Sequence, residues 1–143
     1  MANIKVIYQS RSGHTEAVAK EIADECGTTA ISINEPNMLG PADLLFIGMG
    51  VYAGHPDSSL MDYLDQLPVN TIRGAAIFST SGRGVDNTHL VVNLLEHKGI
   101  TVYPKPCLLK GQFLFVAKGR PDKRDFRKAR EYAREVMNAF NGE

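Results

Sequence analysis

The chain has 143 residues, of which 43% are hydrophobic and 22% charged, a composition that is typical of a folded domain and excludes a disordered or fibrous chain. Sixteen Lys and Arg residues balance 16 Asp and Glu residues, so no overall positive field would attract a nucleic acid. Two cysteines, Cys26 and Cys107, are too few for a disulfide scaffold or a zinc cage. Because the sequence shows neither a secretory leader nor an apolar run of about 18 residues, we expect a single cytoplasmic domain over residues 1–143, with no membrane span.

Strand-like and helix-like segments alternate along the first half of the chain. β-branched and aromatic residues at 4–8 predict a first strand, because such side chains fit a pleated surface. Apolar residues at helical spacing from 17 to 26 predict a helix that ends at Gly27, a residue that readily adopts a left-handed conformation. Residues 29–33 are predicted as a second strand, and the uninterrupted apolar run at 44–47 as a third, buried on both faces.

The second half of the chain continues this alternation. Two further helices are predicted at 60–67 and 90–95, and two further strands at 75–78 and 101–103. Gly99 ends the second of these helices, and residues 113–116 are predicted to continue the last strand or to pair with it as a hairpin. A final helix begins at 121–125, where Asp122 can act as a cap and an acid follows three residues later. Its apolar positions are Phe126, Ala129, Ala133, Val136, Met137 and Phe140.

This order of elements predicts an α/β fold. Alternating strands and helices form a parallel sheet that is covered by helices on both faces. Five strands suit an open, doubly wound sheet, since an eight-stranded barrel needs about 250 residues. Only nine residues connect Ile33 to Asp43, and they include Pro36 and Pro41. We therefore expect at most one turn of helix in that connection.

The loop after the first strand has the residue types that bind a phosphate. In an open α/β sheet, ligands bind beyond the carboxyl ends of the strands. This loop offers three hydroxyls, one glycine and the free N–H groups of a helix N-terminus, in the residues Ser10, Arg11, Ser12, Gly13, His14 and Thr15. The same residues could instead form a simple Ser/Thr-capped helix start. A Walker-A loop and a Gly-x-Gly-x-x-Gly fingerprint are both absent from the sequence.

Two further loops follow the third and fourth predicted strands. The second loop, predicted over 48–56, has glycines that let a flat ligand approach the backbone and an aromatic ring that can stack on it, in the run Met49, Gly50, Val51, Tyr52, Ala53 and Gly54. The third loop offers hydroxyls and bare amides but no ring, in the run Ser79, Thr80, Ser81, Gly82, Arg83 and Gly84. Together the three loops predict one pocket with a phosphate end and a planar, aromatic end.

The hexad Ser10-x-Ser12-Gly13-x-Thr15 after a short first strand resembles the FMN-phosphate loop of the flavodoxin family, [Thr/Ser]-x-[Thr/Ser]-Gly-x-Thr. The resemblance extends from residue 4 to about 140 in element order, and the stretch from Cys107 to Asp125 is similar to a subgroup of short flavodoxin-like proteins. It implies a flavodoxin-like, doubly wound, five-stranded parallel sheet of order 2-1-3-4-5 with helices on both faces. It also implies FMN as the cofactor.

The resemblance assigns roles to residues of the three loops. Ser10, Ser12, Thr15 and the amides of 11–15 would hold the FMN phosphate. Tyr52 would stack on the isoalloxazine ring, while the backbone of 50–54 and of 79–82 would bind the polar edge of that ring. The chain departs from many flavodoxins in its third loop, which contains Arg83 in place of a second aromatic residue.

Three functions are compatible with these features. The favoured one is an electron carrier whose flavin edge is docked by redox partner proteins, because a chain this short leaves little sequence for a substrate pocket. The alternative is an FMN-dependent reductase of a quinone or a similar small acceptor, and a third is a flavodoxin-like module that only binds a partner. No catalytic residue or metal site is predicted, because the histidines belong to no cluster with ligand spacing. Cys107 is expected to pack as a small hydrophobe, and the charged stretch 118–134 to form a solvated helix face.

Overall fold

A computed structural model describes residues 3–11, 13–35, 39–52, 55–68, 70–81, 88–111 and 119–141, with the backbone alone at 51, 52 and 55. Strands and helices alternate along it as the sequence predicts. The elements are β1 (Ile4–Tyr8), α1 (His14–Cys26), β2 (Ala30–Ser32), β3 (Ala42–Tyr52), β4 (His55–Pro56), α2 (Ser58–Asp65), β5 (Ile72–Ser81), α3 (His89–His97), β6 (Thr101–Val102), β7 (Cys107–Lys110) and α4 (Lys123–Asn141). Between β2 and β3, the described residues contain no helix.

The strands form one sheet in the order β2-β1-β3-β5-β6, and all neighbours along this path are parallel. The short β4 pairs antiparallel with the end of β3. Strands β6 and β7 both pair parallel with β5, at 74–75 and at 78–81 respectively, so they share the fifth position of the sheet. This arrangement confirms the doubly wound sheet and the 2-1-3-4-5 order that the resemblance implies.

Each face of the sheet is covered by one pair of helices. Because successive side chains of a strand point to opposite faces, Val6 packs against α1 and α4, whereas Ile7 packs against α2 and α3. The helices contribute fully buried side chains to the two cores, namely Val18, Ile22, Ala133 and Val136 on the first face and Leu60, Leu64, Val91 and Leu95 on the second. The core strands are therefore apolar on both sides, as predicted for the third strand.

Two predicted loops begin later than the sequence suggested. Residues 48–52 continue β3 and residues 79–81 continue β5, so the prediction of loops over these residues is wrong. Gly48, Met49 and Gly50 pair in parallel register with residues 78–80. Glycine is a poor strand former by itself, but the ladder between two central strands overrides that preference.

The fifth strand position is interrupted. Residues 103–106 separate β6 from β7 and include Pro104 and Pro106, which have no N–H group to donate to the ladder. The sequence did not predict β7, and the predicted continuation at 113–116 lies outside the described residues. The hydroxyl of Tyr132 in α4 donates to the carbonyl oxygen of Lys105 at 2.5 Å and lies 3.3 Å from that of Ile77. A side chain therefore bonds the backbone where the strand is broken.

The predicted helix ends are confirmed where they rest on glycine or aspartate. Gly27 has φ +73° at the end of α1, and Gly99 has φ +79° just after α3. At the start of α4, the carboxylate of Asp122 accepts from the N–H of Arg124 at 3.0 Å, and that of Asp125 accepts from the N–H of Asp122 at 2.8 Å. This reciprocal capping stabilises the N-terminus of α4.

Candidate functional site

The carboxyl ends of β1, β3 and β5 lie side by side. In the sheet register Tyr8 is opposite Gly48, and Gly48 is opposite Phe78. The ladder continues one residue further, because the N–H of Gln9 donates to the carbonyl of Gly48 at 3.0 Å. The structure thus brings the three predicted site segments to one edge of the sheet, as parallel strand ends require.

The first segment forms a turn into the N-terminus of α1. Gly13 is the N-cap residue and has φ +89°, a conformation that is strained for other residues. Its N–H donates to the hydroxyl of Ser10 at 3.0 Å, and its carbonyl accepts from Ala17 at 3.0 Å. Within the described residues no side chain caps α1, so the N–H groups of the first helical turn remain available to an anion. Ser12 lies outside the described residues.

The hydroxyls of Thr15 and Thr80 bind each other. Their oxygen atoms are 2.7 Å apart, and the two residues are 1% and 5% exposed. Gly111 packs closely beside this pair, since an added Cβ would lie 3.3 Å from the Cβ atoms of both His14 and Thr80. The Thr15 hydroxyl, which is predicted to bind the phosphate, links α1 to β5 in the structure, and the backbone N–H of Thr15 lies in the first turn of the helix.

The guanidinium of Arg11 binds the carboxylate of Asp57. Its Nε and Nη2 atoms donate to Oδ2 of Asp57 at 2.9 and 2.7 Å, and the carboxamide of Gln9 donates to the same oxygen at 3.2 Å. The other oxygen of Asp57 caps α2 by accepting from the N–H and the hydroxyl of Ser59 at 2.8 and 2.6 Å. The Ser59 hydroxyl and then the Arg11 guanidinium lower the pKa of Asp57.

Sequence reasoning missed Asp57 and Gln9 as neighbours of the first loop. The pattern Asp57-Ser58-Ser59 before a helix is an N-cap signal, but it gives no indication of a contact with Arg11, which is 46 positions away. Gln9 is 5% exposed, and its Oε1 atom has no donor among the described residues. Both residues became neighbours of the site only through the fold.

The second segment is a hairpin. Val51 and Tyr52 pair antiparallel with Pro56 and His55, and the predicted site residues Ala53 and Gly54 lie outside the described part. Met49 is fully buried in the core that faces α2 and α3. Its side chain is therefore part of the core, and the prediction that it contributes to the site can hold only for its backbone.

The third segment is the end of β5. Ser79, Thr80 and Ser81 are buried strand residues with exposures of 1%, 5% and 8%. The remaining predicted members of this segment, Gly82, Arg83 and Gly84, lie outside the described residues. The strand runs in register beside Met49 and Gly50, so the second and third segments are adjacent.

Several other predicted features can be located in the structure. Cys107 lies buried in the core, as expected, and burial raises the pKa of its thiol to about 12. Burial also raises the pKa of Cys26 to about 11. No helix in the described ranges is long and apolar enough to cross a membrane. Within the same residues, His, Cys, Asp and Glu side chains form no group of three or more that could hold a metal ion.

Comparison with known proteins supports the assignment of a doubly wound α/β fold. A family model described as a flavodoxin domain matches residues 5–101, which include all three site segments. An uncharacterized protein of Methanocaldococcus jannaschii is 29% identical, over 92% of this chain and 96% of that protein. A flavodoxin from the domain Archaea superposes with a TM-score of 0.77 at 16% identity, covering 96% of this chain and 98% of the other. A WrbA-like flavodoxin from Agrobacterium tumefaciens has a TM-score of 0.75 at 20% identity and covers 99% of both chains. The chain belongs to the flavodoxin domain family.

Proposed function

We propose that this flavodoxin-domain protein binds FMN and carries electrons between redox partner proteins. The observation that carries the proposal is the N-terminus of α1, which lies at the carboxyl edge of the sheet without a side-chain cap among the described residues. A dianionic phosphate is the ligand that such a terminus fits, because the N–H groups and the helix dipole both favour negative charge.

The residues of the first loop fit the phosphate of FMN. Gly13 in its left-handed conformation leads the backbone into α1, and nothing described lies within 4 Å of the position that a Cβ would take there. The N–H groups of His14, Thr15 and the following residue would bind the phosphate, together with the hydroxyls of Ser10 and Ser12. Each charge-assisted hydrogen bond contributes about 1.5–3 kcal/mol, so two of them suffice for about a 100-fold preference for FMN over riboflavin.

The other two segments fit the ring of the flavin. The β3–β4 hairpin carries Tyr52 at its tip and is adjacent to the end of β5. In the proposed complex Tyr52 stacks on the ring, and the backbone of 50–54 and 79–82 binds the polar edge of the ring. Bound FMN supplies the reversible uptake and release of electrons. A partner protein would dock near the exposed ring edge through a small, transient interface.

The binding proposal is tested by comparing FMN with riboflavin. Titrations of the flavin-free protein, followed by quenching of flavin fluorescence, should give about 100-fold tighter binding of FMN. Gly13→Ala forces an L residue into a left-handed conformation at a cost of about 1–2 kcal/mol, and it should remove most of the preference. Gly27→Ala is the matched control, because Gly27 has φ +73° at the opposite end of the same helix and also has open space around it. Equal affinities for the two flavins in the wild type would contradict the proposal.

The carrier proposal is tested with the FMN-loaded protein. After photoreduction it should pass electrons to cytochrome c, used here as a model acceptor, in proportion to its flavin content. It should not by itself sustain turnover of NADH or NADPH with a quinone. Steady turnover with that pair of substrates would show that the protein is a reductase and not a carrier.

A further inference from the structure

The carboxylate of Asp57 receives five hydrogen bonds from two parts of the chain. Three donors reach one of its oxygens from the first loop, namely the carboxamide of Gln9 and two nitrogen atoms of Arg11. Two donors reach the other oxygen from Ser59 in α2. The side chain of Asp57 is only 11% exposed, so this junction lies close under the surface.

Asp57 is also joined directly to the hairpin of the second segment. It follows β4, and β4 is paired with Val51 and Tyr52 at the end of β3. The carboxylate therefore stands between the first loop, at the proposed phosphate end, and the hairpin, at the proposed ring end. Both ends of one FMN molecule must be bound at a fixed separation.

We propose that Asp57 is a positioning residue, which holds the first loop at a set distance from the β3–β4 hairpin so that one FMN molecule can occupy both ends. This inference rests on the proposed function. Asp57 itself would not contact the cofactor; it acts through Arg11 and Gln9.

Exposure and hydrogen-bonding geometry favour a positional role over a contribution to stability. The side chain of Arg11 is 59% exposed, and ion pairs with such exposed partners add little to folding stability. The Nε–Nη2 edge of its guanidinium faces Asp57, so that edge does not face the loop's anion site. Gln9 is buried while its Oε1 atom lacks a donor among the described residues, which costs folding free energy. The carboxamide nitrogen of the same side chain donates to Asp57, which fixes the orientation of the Gln9 carboxamide.

Asp57→Asn tests the inference, with Ser59→Ala as the matched control. Asparagine keeps the shape and remains a good helix cap, but it lacks the charge that binds Arg11 and Gln9. Ser59→Ala removes a hydrogen bond from the same carboxylate without touching the first loop. We expect Asp57→Asn to weaken FMN binding by about tenfold and to change riboflavin binding less than twofold, because riboflavin has no phosphate to align. Ser59→Ala should change neither.

A second measurement uses the flavin-free protein, so that it does not depend on the proposed function. Backbone ¹⁵N relaxation should show the order parameters of Ser10, Arg11 and Gly13 falling from about 0.85 to below about 0.6 in Asp57→Asn, while those of α2 are unchanged. The inference would be overturned if the loop residues of Asp57→Asn stayed rigid. It would also be overturned if the variant kept the ratio of FMN to riboflavin affinity of the wild type, or if it bound FMN more tightly. A wild type without preference for FMN would overturn the proposed function instead, and the relaxation data would still decide whether Asp57 orders the loop.

Discussion

The hydroxyl of Tyr132 offers a direct test of how the interrupted edge strand is stabilised. It donates to the carbonyl of Lys105 in the break between β6 and β7, and it lies within 3.3 Å of the carbonyl of Ile77 in β5. The ring is fixed by edge-on contacts with Phe46 and Tyr103, with centroid distances of 6.4 and 6.0 Å. Burial raises the pKa of Tyr132 far above its ordinary value, so the hydroxyl remains a donor at any physiological pH.

Tyr132→Phe keeps these ring contacts and removes only the hydroxyl. The carbonyl of Lys105 loses a donor in the variant, but it belongs to an exposed residue and can be hydrated. Loss of one net hydrogen bond costs about 1 kcal/mol. We expect the free energy of unfolding to fall by that amount.

Equilibrium unfolding in urea measures this difference, with Tyr63→Phe as the matched control. Tyr63 is half-buried, and its hydroxyl makes no hydrogen bond to any residue that the structure describes. The control should therefore change the unfolding free energy by less than about 0.5 kcal/mol. If Tyr132→Phe is equally neutral, or if both variants lose the same amount, the hydroxyl does not support the break and the reasoning is refuted.

Two further substitutions test the core of the sheet and the start of α4. Gly48→Ala should destabilise the protein by about 1–3 kcal/mol in the same urea assay, because the new Cβ would lie 2.5 Å from the ring of Phe78; an unchanged midpoint would mean that the ring can move aside. Asp125 is 3% exposed, and its hydrogen bond from Arg120 is the main cause that lowers its pKa. The stabilisation from this depressed pKa is complete above the unfolded value of about 3.9 and is lost as pH falls below it. The difference in unfolding free energy between wild type and Asp125→Asn should therefore shrink below about pH 4, and a difference independent of pH would contradict this.

The sequence predicted the sheet and helices because their signals are local. Apolar periodicity located the helices, and Gly27 and Asp122 marked two helix ends that the structure confirms. Strand β7 was missed because it has only four residues and follows a segment with two prolines. Its place beside β5 depends on pairing with a distant strand and not on its own pattern.

The position of the candidate site was predictable, but its side-chain contacts were not. Parallel strands end at one edge, so the three segments had to meet there. The bond between Arg11 and Asp57 joins residues 46 positions apart, and the bond between Thr15 and Thr80 joins residues 65 apart. Such choices of partner depend on how the elements pack, and the sequence alone did not reveal them.

The Thr15–Thr80 pair permits a double-mutant cycle that separates a structural hydrogen bond from a ligand contact. Valine has nearly the shape of threonine, so Thr15→Val or Thr80→Val leaves one buried hydroxyl without its partner and should cost about 1–3 kcal/mol. With both residues changed to valine, no unpaired hydroxyl remains, and the loss should be smaller than the sum of the two single losses by about 0.5–3 kcal/mol. Urea unfolding of the four proteins without flavin gives this coupling energy. Strictly additive losses would show that the two hydroxyls act independently, and each would then be free to serve a ligand.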